Sequence, residues 1–273
     1  MKRNNALFYY IPTPIGNLKD ITLRALDILK EVDLIYSEDT RVTRKLLSHY
    51  NIKKPIYTYN KDNELNTAIK IIDLLKGGKK IALTTDAGTP CISDPGNILA
   101  KKLITENIPF EVLPGATAFV LALIYSGFNT KTFYFNGFLS NKKNERKKEL
   151  LDLRKIKTTI ILYESCHRIK ETLNDILAIF TPPFFVCREL TKIFEEHVFV
   201  YNSNNVAEIT EKGEFIVVID NNKIESHEKT DINLIIEKLL KEEFSNKDIV
   251  KILKILGYNR NRAYNLLKDI TSN

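Results

Sequence analysis

Paired cysteines are missing from this chain. Its 273 residues include only Cys91, Cys166 and Cys187, an odd set without C-x-x-C spacing. That excludes a disulfide framework and a zinc ribbon, and points to reduced thiols in the cytoplasm. Histidines are few as well: His49, His167, His197 and His227 show no H-x-x-x-H or similar spacing, so no metal site is expected. No apolar run is long enough to cross a bilayer. The longest, residues 115–128, falls short of the roughly 20 residues a spanning helix needs and is expected to be a buried helix. The start MKRNNALFYY lacks the apolar core and small-residue cleavage site of a secretory signal. G-x-G-x-x-G, G-x-x-x-x-G-K-[ST] and G-x-S-x-G are all absent, which removes the ordinary dinucleotide-binding, phosphate-loop and nucleophile-elbow readings.

What is present is a globular composition, 44% hydrophobic and 27% charged, sufficient to bury substantial cores. Lys and Arg number 41 against 34 Asp and Glu, a net charge of +7. Such a balance suits a polyanionic partner, although a general enrichment in Lys produces the same excess without nucleic-acid binding.

Hydrophobic spacing predicts strands over 7–11, 34–36, 55–59, 80–84 and 109–113, alternating with helices over 20–30, 42–49, 64–76 and 98–106. That alternation implies a mainly parallel sheet with crossover helices. Further strands follow over 131–138, 158–163, 184–188, 195–201 and 214–220, with helices over 144–153 and 167–180 and none expected between the last two strands. Closely spaced late strands imply a mixed or antiparallel second sheet. The chain is therefore read as α/β, with domains 1–115 and 116–222, a polar linker over 221–230, and a small helical module over 230–273 built from helices at 234–244, 247–256 and 261–270.

Four loops rich in glycine, proline and small polar residues follow strands of the first domain: TPIGN at 13–17, SEDTR at 37–41, DAGTPCISDPG at 86–96 and LPGAT at 113–117. Each alone is ordinary turn chemistry. Parallel strands place all four on one edge, where backbone amides can hold a small ligand and Asp86 and Asp94 supply charge or helix caps.

Taken in order, TPIGNLKDITLRA, SEDTR, DAGTPCISDPG, LPGATA, YESCHR and RELTK resemble the ribosomal RNA small-subunit methyltransferase I family of the tetrapyrrole methylase superfamily. The resemblance covers nearly the whole chain, and DAGTPCISDPG is its most specific part. It implies two α/β domains of tetrapyrrole-methylase type with a cofactor cleft between them, and a small C-terminal helical module. It further implies S-adenosylmethionine-dependent 2′-O-methylation of a cytidine in small-subunit ribosomal RNA, free or within a ribosomal particle, by a cytoplasmic homodimer. By the same resemblance the cofactor is expected at Gly16, Asp86, Ala87, Gly88, Thr89, Pro90, Ser93, Asp94, Pro114, Gly115, Ala116 and Thr117. Tyr163 and Glu164 then approach from the second domain. Within TYNKDNE at 58–64, Tyr59 or Asn60 stands where the family is expected to carry a histidine.

A ribose hydroxyl is a poor nucleophile at neutral pH and needs a base near the transferred methyl. Glu38, Asp39, Glu164 and Glu189 are the candidates. Capping of the helix that starts near Thr40 explains Glu38 and Asp39 equally well, and ion pairs with Arg168 and Arg188 explain Glu164 and Glu189. Arg41, Arg44, Arg188 and Lys192 suit RNA backbone contacts or plain solvated charge. The run KKNERKK at 142–148 reads as a solvated helix start or a phosphate contact. Tyr258, Asn259, Arg260, Arg262 and Tyr264 suit either RNA contact or helix packing. Two competing functions remain: a tetrapyrrole C-methyltransferase, which needs an apolar macrocycle pocket, and a nonenzymatic RNA-binding assembly factor, which needs no cofactor.

Overall fold

The computed structural model describes residues 6–222, 232–255 and 260–271. Chain contacts divide the protein into two compact units, residues 1–222 and 223–273.

The first unit begins with a five-stranded sheet. β1 (Phe8–Ile11), β2 (Leu34–Ser37), β3 (Ile56–Thr58), β4 (Ile81–Thr84) and β5 (Phe110–Val112) stand in the order β3-β2-β4-β1-β5, every pair parallel. The crossovers are α1 (Leu23–Glu31), α2 (Thr40–His49), α3 (Glu64–Lys76) and α4 (Asn97–Thr105). Alternate side chains of each strand face opposite layers. Phe8, Tyr10, Tyr36, Ile81 and Leu83 pack with Ile71, Leu75, Leu99 and Leu103 of α3 and α4, whereas Ile11, Ile35 and Ala82 pack with Ala25, Leu29 and Leu47 of α1 and α2. A parallel sheet covered on both faces explains why its strands read as continuous apolar runs.

A second sheet follows α5 (Ala118–Ser126). Its strands β6 (Phe133–Phe138), β7 (Thr159–Ser165), β8 (Phe184–Arg188), β9 (Glu196–Val200) and β10 (Glu214–Asp220) lie in the order β6-β7-β10-β8-β9. Only β6 and β7 run parallel, and the remaining pairs are antiparallel, the mixed sheet expected. Ile160, Leu162, Val186 and Val217 face α6 (Lys143–Arg154), α7 (Ile169–Ile179) and α8 (Ser203–Glu208). Ile161, Phe185, Ile216 and Val218 face α5 together with Ile15 from the first sheet's edge.

Three expectations change. First, α8 interrupts β9 and β10, where no helix was expected; Asn202 starts it by accepting the Asn204 and Asn205 N–H groups. Second, α5 is not a buried helix: Ala122 and Leu123 pack inward, while Ile124 is 67% and Tyr125 50% exposed. Its sequence is apolar all round, but only one side meets the sheet. Third, Arg146 of the KKNERKK run is fully buried and paired with Glu171 and Asp175, so it is not part of a solvated start. Of the linker, residues 223–230 lie outside the described residues. Asn221 belongs to the fold, because its amide donates to the Arg154 and Ile156 carbonyls at 3.0 and 2.6 Å.

The second unit holds α9 (Ile232–Lys241), α10 (Asn246–Ile255) and α11 (Arg260–Thr271). Ile236, Ile249, Leu253 and Leu267 form its small core. Among the described residues no helix is long and apolar enough to cross a membrane.

Candidate functional site

All four loops leave the first sheet at the carboxyl ends of its parallel strands, the edge where α/β sheets hold ligands. They are tied to one another. Thr13 and Gly88 exchange backbone hydrogen bonds of 2.9 and 3.0 Å, and the Thr13 hydroxyl donates to the Thr85 carbonyl at 3.1 Å. The Thr85 hydroxyl accepts the Ala87 N–H at 3.0 Å. Thr89 donates to the Ala116 carbonyl at 2.9 Å and lies 2.8 Å from the Thr117 hydroxyl. Gly88 adopts φ +86°, a conformation open mainly to glycine.

The far end of the DAGTPCISDPG loop is held by Glu64. Its carboxylate accepts the Gly96 and Ile98 N–H groups at 2.8 and 3.3 Å, capping α4, and takes a hydrogen bond from the Tyr59 hydroxyl at 3.1 Å. Tyr59 is fully buried. Asn60 and Asn63 bond reciprocally through side chain and backbone. The residues that stand where a histidine was expected thus shape the loop from behind.

Between this edge and the second sheet lies a cavity of about 470 Å³. Of the expected cofactor residues, Asp86, Ala87, Gly88, Thr89, Ser93, Asp94, Thr117 and Tyr163 line it. Pro90, Pro114, Gly115 and Ala116 do not line it, although the Ala116 carbonyl holds Thr89, and Gly16 lines a neighbouring cavity. Sequence reasoning missed the opposite wall, where Phe138, Cys187, Leu190, Glu214 and Ile216 contribute. The RELTK motif flagged the neighbourhood of Leu190; nothing in the apolar β10 sequence marks Ile216 as a cavity residue.

Among the candidate bases, Glu38 lines the cavity. Burial, followed by the charges of Asp94 and Asp86 and a hydrogen bond with Asp94, pushes its carboxyl up to about 7. Burial also raises Asp94 and Asp86, and Asp86 accepts the Asp39 N–H at 3.0 Å. None of these three carboxylates forms an ion pair among the described residues. Tyr163 is pushed up to about 12, mainly by burial, and its ring packs edge-on against Phe135 and Phe138.

The other three candidates are engaged elsewhere. Asp39 caps α2 through the Arg41 N–H at 2.8 Å and grips the Arg41 guanidinium at 2.6 Å; these hydrogen bonds hold its carboxyl down at about 2. Glu164 reaches the cavity wall, but its carboxylate accepts from Arg168, Thr172 and the Ser165 N–H, each at 2.6 Å. Glu189 takes Lys192 at 2.9 Å and the Glu214 N–H at 3.0 Å. Burial pushes it up, yet these contacts leave it below its ordinary range.

Of the proposed RNA contacts, Arg41 is paired with Asp39, and Arg188 is buried and forked onto Glu196 at 2.9 and 2.6 Å. Lys192 bridges Glu189 and Glu214, each at 2.9 Å. Arg44 is exposed on α2. Arg260 and Arg262 fall in α11, but their side chains lie outside the described residues, as do Tyr258 and Asn259 altogether.

The cavity thus combines carboxylates that form no ion pair among the described residues with apolar surface from Ile15 and Ile92 beside them and Leu190 and Ile216 opposite. That arrangement fits a small organic cation with an apolar body.

A family model described as Tetrapyrrole (Corrin/Porphyrin) Methylases matches residues 7–207. The ribosomal RNA small subunit methyltransferase I of Halalkalibacterium halodurans is 44% identical over 228 residues, 81% of this chain and 78% of that protein. Its namesake from Streptococcus pyogenes is 36% identical over 282 aligned residues, 98% of this chain and 97% of that protein. Among solved structures, diphthine synthase superposes with a TM-score of 0.64 at 14% identity, over 78% of this chain and 90% of its own. The uroporphyrin-III C-methyl transferase of Thermus thermophilus, complexed with S-adenosyl homocysteine, superposes at 0.54 with 17% identity, over 80% of this chain and 99% of its own. At such identities the two structural likenesses speak to the fold alone.

Proposed function

The chain belongs to the ribosomal RNA small subunit methyltransferase I family of the tetrapyrrole methylases, and from that premise we propose that it 2′-O-methylates a cytidine of small-subunit ribosomal RNA with S-adenosylmethionine as donor. The observation that carries this reading is the cavity walled by Glu38, Asp86 and Asp94, none of which forms an ion pair among the described residues. S-adenosylmethionine is cationic at sulfur and nitrogen, and 470 Å³ lies within the roughly 300–1,000 Å³ usual for small-ligand sites.

The backbone at Gly88 and Thr89 and the carboxylates of Asp86 and Asp94 would hold the donor, with Tyr163 and Ile216 closing the far side. When bound, S-adenosylmethionine supplies an electrophilic methyl group, and its sulfur keeps the bonding electron pair on departure. Glu38 is the carboxylate placed to accept the ribose hydroxyl proton. It is bonded to Asp94 and poised near neutral pH, where a general base works best. The apolar Ile15, Leu190 and Ile216 in the cavity lining would limit water beside the methyl.

The decisive measurement is methylation of small-subunit particles with labelled donor, followed by nucleotide mapping. One cytidine ribose should carry the label. Gly88→Val should weaken donor binding by about 100-fold or more in calorimetry, because the added Cβ lies 3.2 Å from the Ile15 methyl and φ +86° strains any branched residue. Wild-type affinity in that variant refutes the assigned donor site.

Residues 1–115 and 116–222 are taken as the two domains that supply the cleft walls. The active form is taken to be a cytoplasmic homodimer, a reading supported by the exposed Val120, Ile124 and Tyr125 of α5 and the free cysteines. Light scattering that reports a monomer overturns the dimer, and recovery outside the cytoplasmic fraction overturns the location. Arg260 and Arg262 are assigned to RNA. Removing residues 230–273 should weaken RNA binding and spare donor binding, and unchanged RNA affinity sinks that assignment.

A further inference from the structure

We infer that the acceptor nucleotide seats in a second cavity, between the TPIGN loop and α2, that shares a wall with the donor cavity at Ile15, Asp86, Ala87 and Glu214. The inference rests on the methyltransferase reading above and adds the place where RNA enters. The second cavity measures about 450 Å³, again the size of a small-molecule site. Because Asp86 and Ala87 line both spaces, a nucleotide in the second lies directly against the residues that wall the donor.

The two cavities differ in charge. The first presents Glu38, Asp86 and Asp94, which repel a phosphate. The second keeps Asp86 and Glu214 on the shared wall but adds Lys45, Lys192, which bridges Glu189 and Glu214, and the apolar Leu18, Val42 and Leu46. Lys45 forms no ion pair among the described residues, and Arg44 is exposed beside it on α2. A lysine without an ion pair beside apolar surface matches a nucleotide, whose phosphates need positive charge while its ring and sugar carbons need apolar contact. Lysine side chains thus line the acceptor cavity and not the donor cavity.

Gly16 closes the second cavity against the RELTK loop. A Cβ there would stand 2.5 Å from Lys192 Cγ and 2.8 Å from the Leu190 carbonyl oxygen, so only glycine allows the two loops to meet. The Asn17 N–H then donates to the Thr191 hydroxyl at 3.1 Å. Gly16 lines the second cavity and not the first, which puts it on the acceptor side.

The test uses Val42→Trp, which fills space lined by the second cavity alone, and Lys45→Glu, a surface change that reverses the rim charge. Both should raise KM for small-subunit particles by about tenfold or more while the calorimetric Kd for S-adenosylmethionine stays within about twofold of wild type. Lys45→Glu should also flatten the salt dependence of RNA binding by about one unit of log–log slope. Wild-type KM in both variants, with transfer otherwise normal, overturns the subsite. A loss of donor affinity equal to the rise in KM overturns it too. A wild-type protein that binds donor but methylates no RNA overturns the functional reading itself, and this inference with it.

Discussion

Acidic residues line both sides of the cleft, and the fold treats them in opposite ways. On the second-sheet side Glu164 is held by Arg168, Thr172 and a backbone N–H, and Glu189 and Glu214 share Lys192. On the first-sheet side Glu38, Asp86 and Asp94 sit together, partly buried, each with its ionisation suppressed. A carboxylate withdrawn from water must be matched by a cation or hold its proton. One wall matches its charges internally and so contributes rigidity. The other leaves the matching to whatever binds, and so contributes affinity for a cation.

The largest effect expected from this contrast is on stability. Glu164→Ala leaves the Arg168 guanidinium, whose side chain is 13% exposed, with only the neutral Asn141 and Leu139 oxygens as partners, and removing the counter-charge of such a pair costs about 3–5 kcal/mol. Urea unfolding of the full chain should show the midpoint falling while the folded protein still binds S-adenosylmethionine. A variant of normal stability that binds no donor would place Glu164 on the ligand side of the contrast.

Next in size is Glu38→Gln. Loss of a general base lowers a rate by roughly 10²-fold or more, which single-turnover methyl transfer would read, whereas Glu189→Gln should leave the chemical step near wild type. A matching loss in both variants would collapse the distinction between the two walls. The pH behaviour has a definite sign. Between the ordinary carboxylate value of 4.5 and about 7, folded Glu38 keeps a proton that the unfolded chain has released. Its contribution to stability therefore falls as pH rises through that window. A bound cation favours the ionised form, so donor affinity of the wild type should climb with pH up to about 7 and then level. Glu38→Gln should weaken both trends, leaving the lesser contributions of Asp86 and Asp94; calorimetry in buffers of different ionisation enthalpy would read the proton released.

Much of the frame was legible in the residues. Strand–helix alternation and the four loops were readable because buried parallel strands are continuous apolar runs and glycine and proline mark their ends. The bounds expected for the helix at 64–76 and the strands at 184–188 and 214–220 match the structure. What was not legible depends on partners distant in sequence. The outward face of α5 escapes notice because an apolar helix signals a need for cover without saying what provides it. Helix α8 escapes because six polar-rich residues carry too little periodicity. Ile216 escapes because β10 looks the same whether or not a cavity lies against it.

The smallest effect expected separates two adjacent residues that the sequence could not tell apart. Glu38 and Asp39 both precede α2, and either is chemically able to cap it. Backbone phase decides: Asp39 takes the extended conformation at the N-cap, φ −115° and ψ 110°, with its carboxylate on the Arg41 N–H, so Glu38 is turned into the cavity. Asp39→Ala should then lower the melting temperature by about 2–4 °C, the usual price of one lost cap, with methyl transfer near wild type. Asp39→Asn, which can still cap, should recover most of that loss. Because the Asp39 N–H, present in every variant, is what bonds Asp86, the donor wall should survive both changes. A large fall in transfer with Asp39→Ala, unrecovered by asparagine, would show that its negative charge acts on the cavity directly and that the two neighbours share one task.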